Sequence, residues 1–161
     1  MEVRIRNFSL DDYSAIDNLI NQVHALHVSN RPDIYTPLDH IYSKEKIENM
    51  INSRNIIGLI AEIDELPVGC CIVKLKDPYE SPESVPRKTA YMDCLCVDRD
   101  YRNKGIGKLL YERAEQSAKE NGASALELKV WSFNENAINF YKDMGLIPQR
   151  FIMEKCLING L

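Results

Sequence analysis

Between an apolar, strand-like run ending at Val97 and a helix-period stretch beginning near Ile106 lies Arg102-Asn103-Lys104-Gly105-Ile106-Gly107. A helix start carries unpaired N–H groups and a partial positive charge. Glycines let that backbone approach an anion with no Cβ in the way. Arg102 and Lys104 add full charges. Lys108, in the first helical turn, is badly placed against the helix dipole unless an anion sits there. The chemistry this segment suits is the binding of a diphosphate.

Two well-known phosphate motifs fail here. A dinucleotide fingerprint needs G-x-G-x-x-G, but Leu110 stands where the third glycine belongs. A P-loop needs a glycine five residues before Gly-Lys-Ser/Thr, and Arg102 and Leu109 occupy its glycine and hydroxyl positions. The R-x-x-G-x-G pattern after Leu95-Cys96-Val97-Asp98 resembles the cofactor signature of the GNAT superfamily of N-acetyltransferases. Some 30 residues on, Asn134-Glu135-Asn136-Ala137-Ile138-Asn139-Phe140-Tyr141-Lys142-Asp143-Met144-Gly145-Leu146 resembles that family's N-x-x-A-x-x-F-Y-x-x-x-G-F segment, with Leu146 in place of the frequent Phe. Val3 to Arg6 with Asp11-Asp12, Pro67-Val68-Gly69 and Phe151 to Leu157 extend the likeness over nearly the whole chain.

The resemblance implies acetyl-CoA as co-substrate, its diphosphate held by Arg102, Asn103, Lys104, Gly105, Ile106, Gly107 and Lys108. It implies that Asn134 contacts the pantetheine arm, with Ala137 in the same coenzyme-binding set, and that Tyr141 protonates the leaving thiolate. Plainer readings stand beside these. Asn134 is a good helix cap, and Tyr141 shares an apolar stripe with Ala137, Phe140 and Met144. In the family the strand before the phosphate loop is splayed from its neighbour. Thr89 to Val97 is that strand here, with the Leu95 amide as the candidate contact to the thioester carbonyl, Val97 as a pantetheine contact and Cys96 between them. Asp93 is the candidate base, because Tyr91 to Val97 resembles the matching strand of polyamine acetyltransferases. A lone acid in an apolar strand is costly to bury unless paired or functional. The alternative is a partly exposed Asp93 paired with a neighbouring arginine.

The implied reaction is direct acetyl transfer from acetyl-CoA to a primary amine, of a small molecule by preference. A protein N-terminal or lysine acceptor, and a non-catalytic acyl-CoA-binding module, remain as alternatives. The first helices and the His27–Tyr42 stretch, with Arg31, Asp33 and Tyr35, are expected to wall the acceptor site together with Trp131. His24 and His27 lack a third metal ligand. The five cysteines read as reduced thiols, four of them in apolar strand-like runs as buried small hydrophobes; Cys70-Cys71 are adjacent and Cys94-x-Cys96 projects from one strand face, unlike the turn-borne pairs of zinc sites, and no metal is expected. The net charge of −4 gives no basic face for nucleic acid. No apolar stretch approaches the roughly 20 residues of a spanning helix, and the N-terminus lacks a signal-like apolar core, so no membrane partner and a cytoplasmic location are expected. Many members of the family are dimers, which leaves a homodimer open.

The elements that must position these residues follow from periodicity. Val3 to Phe8 alternates as a strand. Helical spacing covers roughly 10–27 and 43–53. Ile56–Ile63 and Val68–Leu75 form a hairpin across Asp64-Glu65-Leu66-Pro67. Strands are expected at Thr89–Val97, Ala125–Trp131 and Phe151–Leu157, and helices after Gly105, ended by Asn121-Gly122, and around Ala137–Met144, ended by Gly145. This predicts one domain over 1–161 of the α/β class, with a GNAT-like mixed, mostly antiparallel central sheet flanked by helices and a splayed V-shaped cofactor cleft.

Overall fold

The computed structural model describes residues 2–157. In chain order the elements are β1 (Arg4–Asn7), a 3-10 turn (Leu10–Asp12), α1 (Tyr13–Asn30), α2 (Lys44–Ile51), β2 (Ile56–Ile63), β3 (Leu66–Lys76), β4 (Thr89–Val97), a second 3-10 turn (Arg99–Tyr101), α3 (Ile106–Glu120), β5 (Ala125–Leu128) and α4 (Glu135–Asp143). The sheet runs β1-β2-β3-β4-β5. Its first four strands are antiparallel, and β5 lies parallel to β4 after the α3 crossover.

Alternation sorts the sheet's side chains onto two helix-covered faces. Leu59, Ala61, Cys71, Val73 and Met92 pack with Ile106, Leu110, Tyr111, Ala114 and Ala118 of α3. Ile60, Cys70, Ile72 and Cys96 pack on the other face with Phe8, with Ile16, Leu19 and Ile20 of α1, and with Ile47 and Met50 of α2. The α1 face has one intimate backbone contact: a Cβ on Gly58 would fall 1.8 Å from the Phe8 ring, so only glycine fits. Asp64 and Glu65, both at positive φ, make the two-residue turn between Ile63 and Leu66, the backbone shape that matches strand twist in a tight hairpin.

One irregularity matters for the site. The β3–β4 register pairs Ile72 with Cys94 and Val73 with Met92. Asp93 is therefore the extra residue of a β-bulge, the device by which a strand re-aims a side chain.

Three sequence expectations need correction. The first helix runs on to Asn30. β5 ends at Leu128 instead of Trp131, because beyond Leu128 it has lost its neighbour. Residues 151–157 form no strand. Phe151-Ile152-Met153 is an unalternating apolar run, its side chains are exposed, and a strand needs a partner edge that this segment does not meet.

Candidate active site

β4 and β5 pair only from Thr89↔Ala125 to Met92↔Leu128. Past that point β4 continues to Val97 while the other chain turns away toward α4, so the strands open like a V. The direction of the free amides follows from the ladder. Asp98 N–H donates to Val68 O at 2.9 Å, toward β3. Amides alternate sides along a strand, so those of Cys96 and Cys94 also face β3, while those of Val97 and Leu95 face the opening. The Val97 carbonyl confirms this orientation, since it accepts from Arg102 Nε at 3.0 Å. The structure thus places Leu95 and Val97 at the cleft, and Cys96 with its amide toward β3 and its thiol buried beneath α1.

The loop that closes the V is tied down on both sides. Asp98 Oδ1 accepts from the Asp100 amide at 2.9 Å and Oδ2 from Gln22 of α1 at 2.8 Å; these bonds hold its carboxyl below the usual range. Gln22 in turn accepts from the Arg99 amide. Asn103 (φ 60°) and Gly105 (φ 79°) both take the left-handed region, which coils the segment tightly before α3 begins. Lys104 donates to the Asp100 carbonyl at 3.0 Å and sits 4.9 Å from the Tyr101 ring. Gly105 caps α3 with no side-chain hydrogen bond, whereas Ser43 and Asn134 cap α2 and α4 through their side chains. The first amides of α3, at Ile106, Gly107 and Lys108, thus retain their capacity for an external anion. Lys108 pairs loosely with Glu112, 3.8 Å away. A Cβ on Gly107 would point between Phe140 of α4 and Val97 of β4, 3.7 and 3.8 Å away, so Gly107 borders the opening itself.

On the α1 side of β4, the bulge delivers Asp93 to a small polar network. Its Oδ2 lies 2.8 Å from Lys74 Nζ and accepts from the Tyr42 hydroxyl at 3.1 Å. The expected arginine partner is thus a lysine. Tyr13 donates to the Tyr42 carbonyl at 3.1 Å and fixes the loop that brings Tyr42 in. Burial first, then the Asp93 charge, pushes the Tyr42 phenol well above its ordinary value, so it remains a donor. Lys74 was missed by sequence reasoning, and Tyr42, the end of the stretch expected to wall the acceptor site, was not foreseen as a partner of Asp93. Lys74 carried a usable signal, a single charge late in an apolar strand; Tyr42 lies in a stretch with no period.

On the other face, Tyr141 is half-buried against the α3-side core, its ring 5.3 Å from that of Phe140. Burial, with Cys71 nearby, raises its phenol well above the ordinary value. Asn134 Oδ1 accepts from the Ala137 amide at 3.2 Å, so both residues meet in the cap of α4. The acceptor-side expectations also come together: Trp131 Nε1 donates to the Tyr35 hydroxyl at 3.0 Å, Tyr35 stacks on His27 at 5.1 Å, and Arg31 lies 5.1 Å from the Trp131 ring. Burial and neighbouring His24 lower the His27 pKa. This aromatic group joins the end of α1 to the segment that leaves β5.

Residues 20–146 match the model of the acetyltransferase (GNAT) family. The chain belongs to that family. The fold of this GNAT chain superposes on a point mutant of the BH1408 protein from Bacillus halodurans with a TM-score of 0.90, at 29% identity over 98% of this chain and 100% of the other. It is 46% identical over 64 residues to an uncharacterized N-acetyltransferase in the pepI 3′ region of Lactobacillus delbrueckii subsp. lactis, covering 40% of this chain and 37% of that protein. It is 31% identical over 90 residues to the thialysine N-epsilon-acetyltransferase of Bos taurus, covering 54% and 53%. The GNAT chain therefore spans about a third to a half of the length of these two curated relatives.

Proposed function

We propose that this GNAT domain transfers an acetyl group from acetyl-CoA directly to a primary amine of a small molecule. The observation that carries the reading is the β4–β5 opening, with outward amides at Leu95 and Val97 and the uncapped start of α3 at its mouth. An anion and an extended amide-bearing arm suit such a surface. The amides of Ile106, Gly107 and Lys108, with Arg102, Asn103, Lys104 and Gly105 shaping the turn, would hold the diphosphate. Val97, Asn134 and Ala137 would line the arm.

Acetyl-CoA supplies an activated thioester. The chain's residues then have three tasks. The Leu95 amide donates to the carbonyl oxygen as negative charge develops there. Asp93, held by Tyr42 and Lys74, takes a proton from the incoming ammonium, directly or through a water, so that a neutral nitrogen attacks. Tyr141, kept protonated by burial, donates to the sulfur as the C–S bond breaks and the C–N bond forms, and the second proton shed by the nitrogen on becoming an amide restores the Tyr141 phenol through solvent. Bringing both reactants into one cleft contributes much of the rate. The thialysine enzyme among its relatives acts, by its name, on the amine of a small amino acid, which supports a small-molecule acceptor.

Gly107→Trp tests the assignment. The indole would fill the space between Val97 and Phe140, and calorimetric titration with coenzyme A should show binding to the parent and none to the variant, with far-ultraviolet circular dichroism unchanged. Equal affinity in a folded variant would remove the loop and cleft from the coenzyme site.

A further inference from the structure

The antiparallel register does something that linear cysteine spacing does not show. Cys70 of β3 stands opposite Cys96 of β4, and Cys94, two residues along, projects from the same face. Cys71 points to the opposite core. The Sγ atoms of Cys70 and Cys96 are 3.2 Å apart, those of Cys94 and Cys96 3.8 Å, and all three lie within 4.8 Å of one another. Three thiolates about 2.3 Å from one ion stand roughly 3.8 to 4 Å apart. Only adjustments of side-chain torsions separate the observed triangle from that geometry.

We infer that Cys70, Cys94 and Cys96 form a three-thiolate site for a single thiophilic metal ion, distinct from the acyl-transfer chemistry and contrary to the sequence expectation that the cysteines are inert packing.

The shell around the triangle selects for such an ion. Ile16, Leu19, Ile20, Ile60 and Ile72 surround the thiols on this face. The Tyr42 phenol packed against this cluster is already bonded to Asp93, so three soft sulfurs dominate the site and hard cations such as magnesium or calcium are disfavoured. Cys70 and Cys96 are buried, while Cys94 is half-buried and follows Asp93 at the bulge, which makes the Cys94 side the route of entry. Thiols are ordinarily protonated at neutral pH. Binding replaces three S–H bonds by three metal–sulfur bonds and releases three protons, and affinity should rise with pH.

The test uses the reduced 161-residue chain carrying Cys156→Ser, which removes the exposed thiol, titrated with cadmium alone. The thiolate-to-cadmium absorption in the ultraviolet should saturate at one equivalent, with proton release measured in weak buffer. Cys94→Ala should weaken that affinity at least about 100-fold, since it removes a direct ligand where outer partners alone are worth about 10 to 100-fold. Cys71→Ala, on the other face, should leave it unchanged. Parallel titrations with zinc and with copper(I) under a competing chelator identify the ion preferred. Absence of a saturable one-equivalent signal, or a signal that survives Cys94→Ala, would overturn the site. Coenzyme binding is read by separate titration and involves none of these thiols, so the two assignments fail independently.

Discussion

Asp93 carries the most chemistry for its size. It is the one charged residue of β4, and the bulge turns it toward Lys74 and Tyr42. Replacing it by Asn keeps the shape and the Tyr42 hydrogen bond but removes the proton acceptor. The turnover number of Asp93→Asn should fall by about 100-fold or more, the usual scale of general base catalysis, and the low-pH limb of the rate profile should change. Identical rate and profile in the variant would leave Asp93 as a structural partner of Lys74. At this scale the sequence was informative wherever a residue type conflicted with its surroundings. Asp93 in an apolar strand, two glycines at a helix start and Asn134 ahead of an amphipathic stretch all stood out. Which side chains would meet Asp93 did not, because that depends on a one-residue slip in the β3–β4 register, and nothing local in Met92-Asp93-Cys94 marks the bulge.

Among the elements, β1, β2 and the start of α1 are joined by one ionic knot. Arg6 reaches Asp12 at 2.7 Å and Glu62 at 2.7 Å, and the Ser9 amide donates to Asp12 at 2.7 Å. Burial works against the Asp12 charge, but the Arg6 guanidinium and the Ser9 amide outweigh it and hold the carboxyl below its usual range. A carboxyl with a lowered folded-state pKa contributes stability that is present above the ordinary Asp range and is lost as pH falls through the lowered value. Arg6→Met leaves the mostly buried Asp12 without its cation, while Glu62 keeps Arg4 at 3.3 Å; loss of one partner of a buried pair costs about 3 kcal/mol or more. Chemical denaturation at neutral pH should show that loss, and the acid-unfolding midpoint should move to higher pH. An unchanged midpoint would mean the knot contributes nothing to acid stability. Most elements were legible from period alone, since an amphipathic stripe or an alternating run needs only its own residues. Their ends were less so. The alternation of Lys129-Val130-Trp131 continues the β5 pattern, yet the strand stops at Leu128 because β4 is no longer beside it, and that divergence is a property of two strands together.

For the molecule as a whole, the two faces of the sheet divide the labour. The α3 face carries the uncapped helix start, Gly107 and half-buried Tyr141; the α1 face carries Asp93, Tyr42 and the aromatic group of His27, Tyr35 and Trp131. Between them β4 alone is shared, and in the proposed reaction its unpaired edge is where a coenzyme arm from one side would meet an acceptor from the other. The overall architecture was readable because the two motifs that carry the family likeness flank that edge. The 151–157 segment was not, since its apolar run resembles a strand only if something pairs with it. Whether this arrangement performs amine acetylation is read by following release of free coenzyme A thiol from acetyl-CoA across a panel of small primary amines, with mass spectrometry of the products. Thiol release should depend on at least one amine and be matched by one added acetyl group per thiol, both abolished by Gly107→Trp. Thiol release that is the same with and without every amine, from a protein that binds the coenzyme, would contradict amine acetylation.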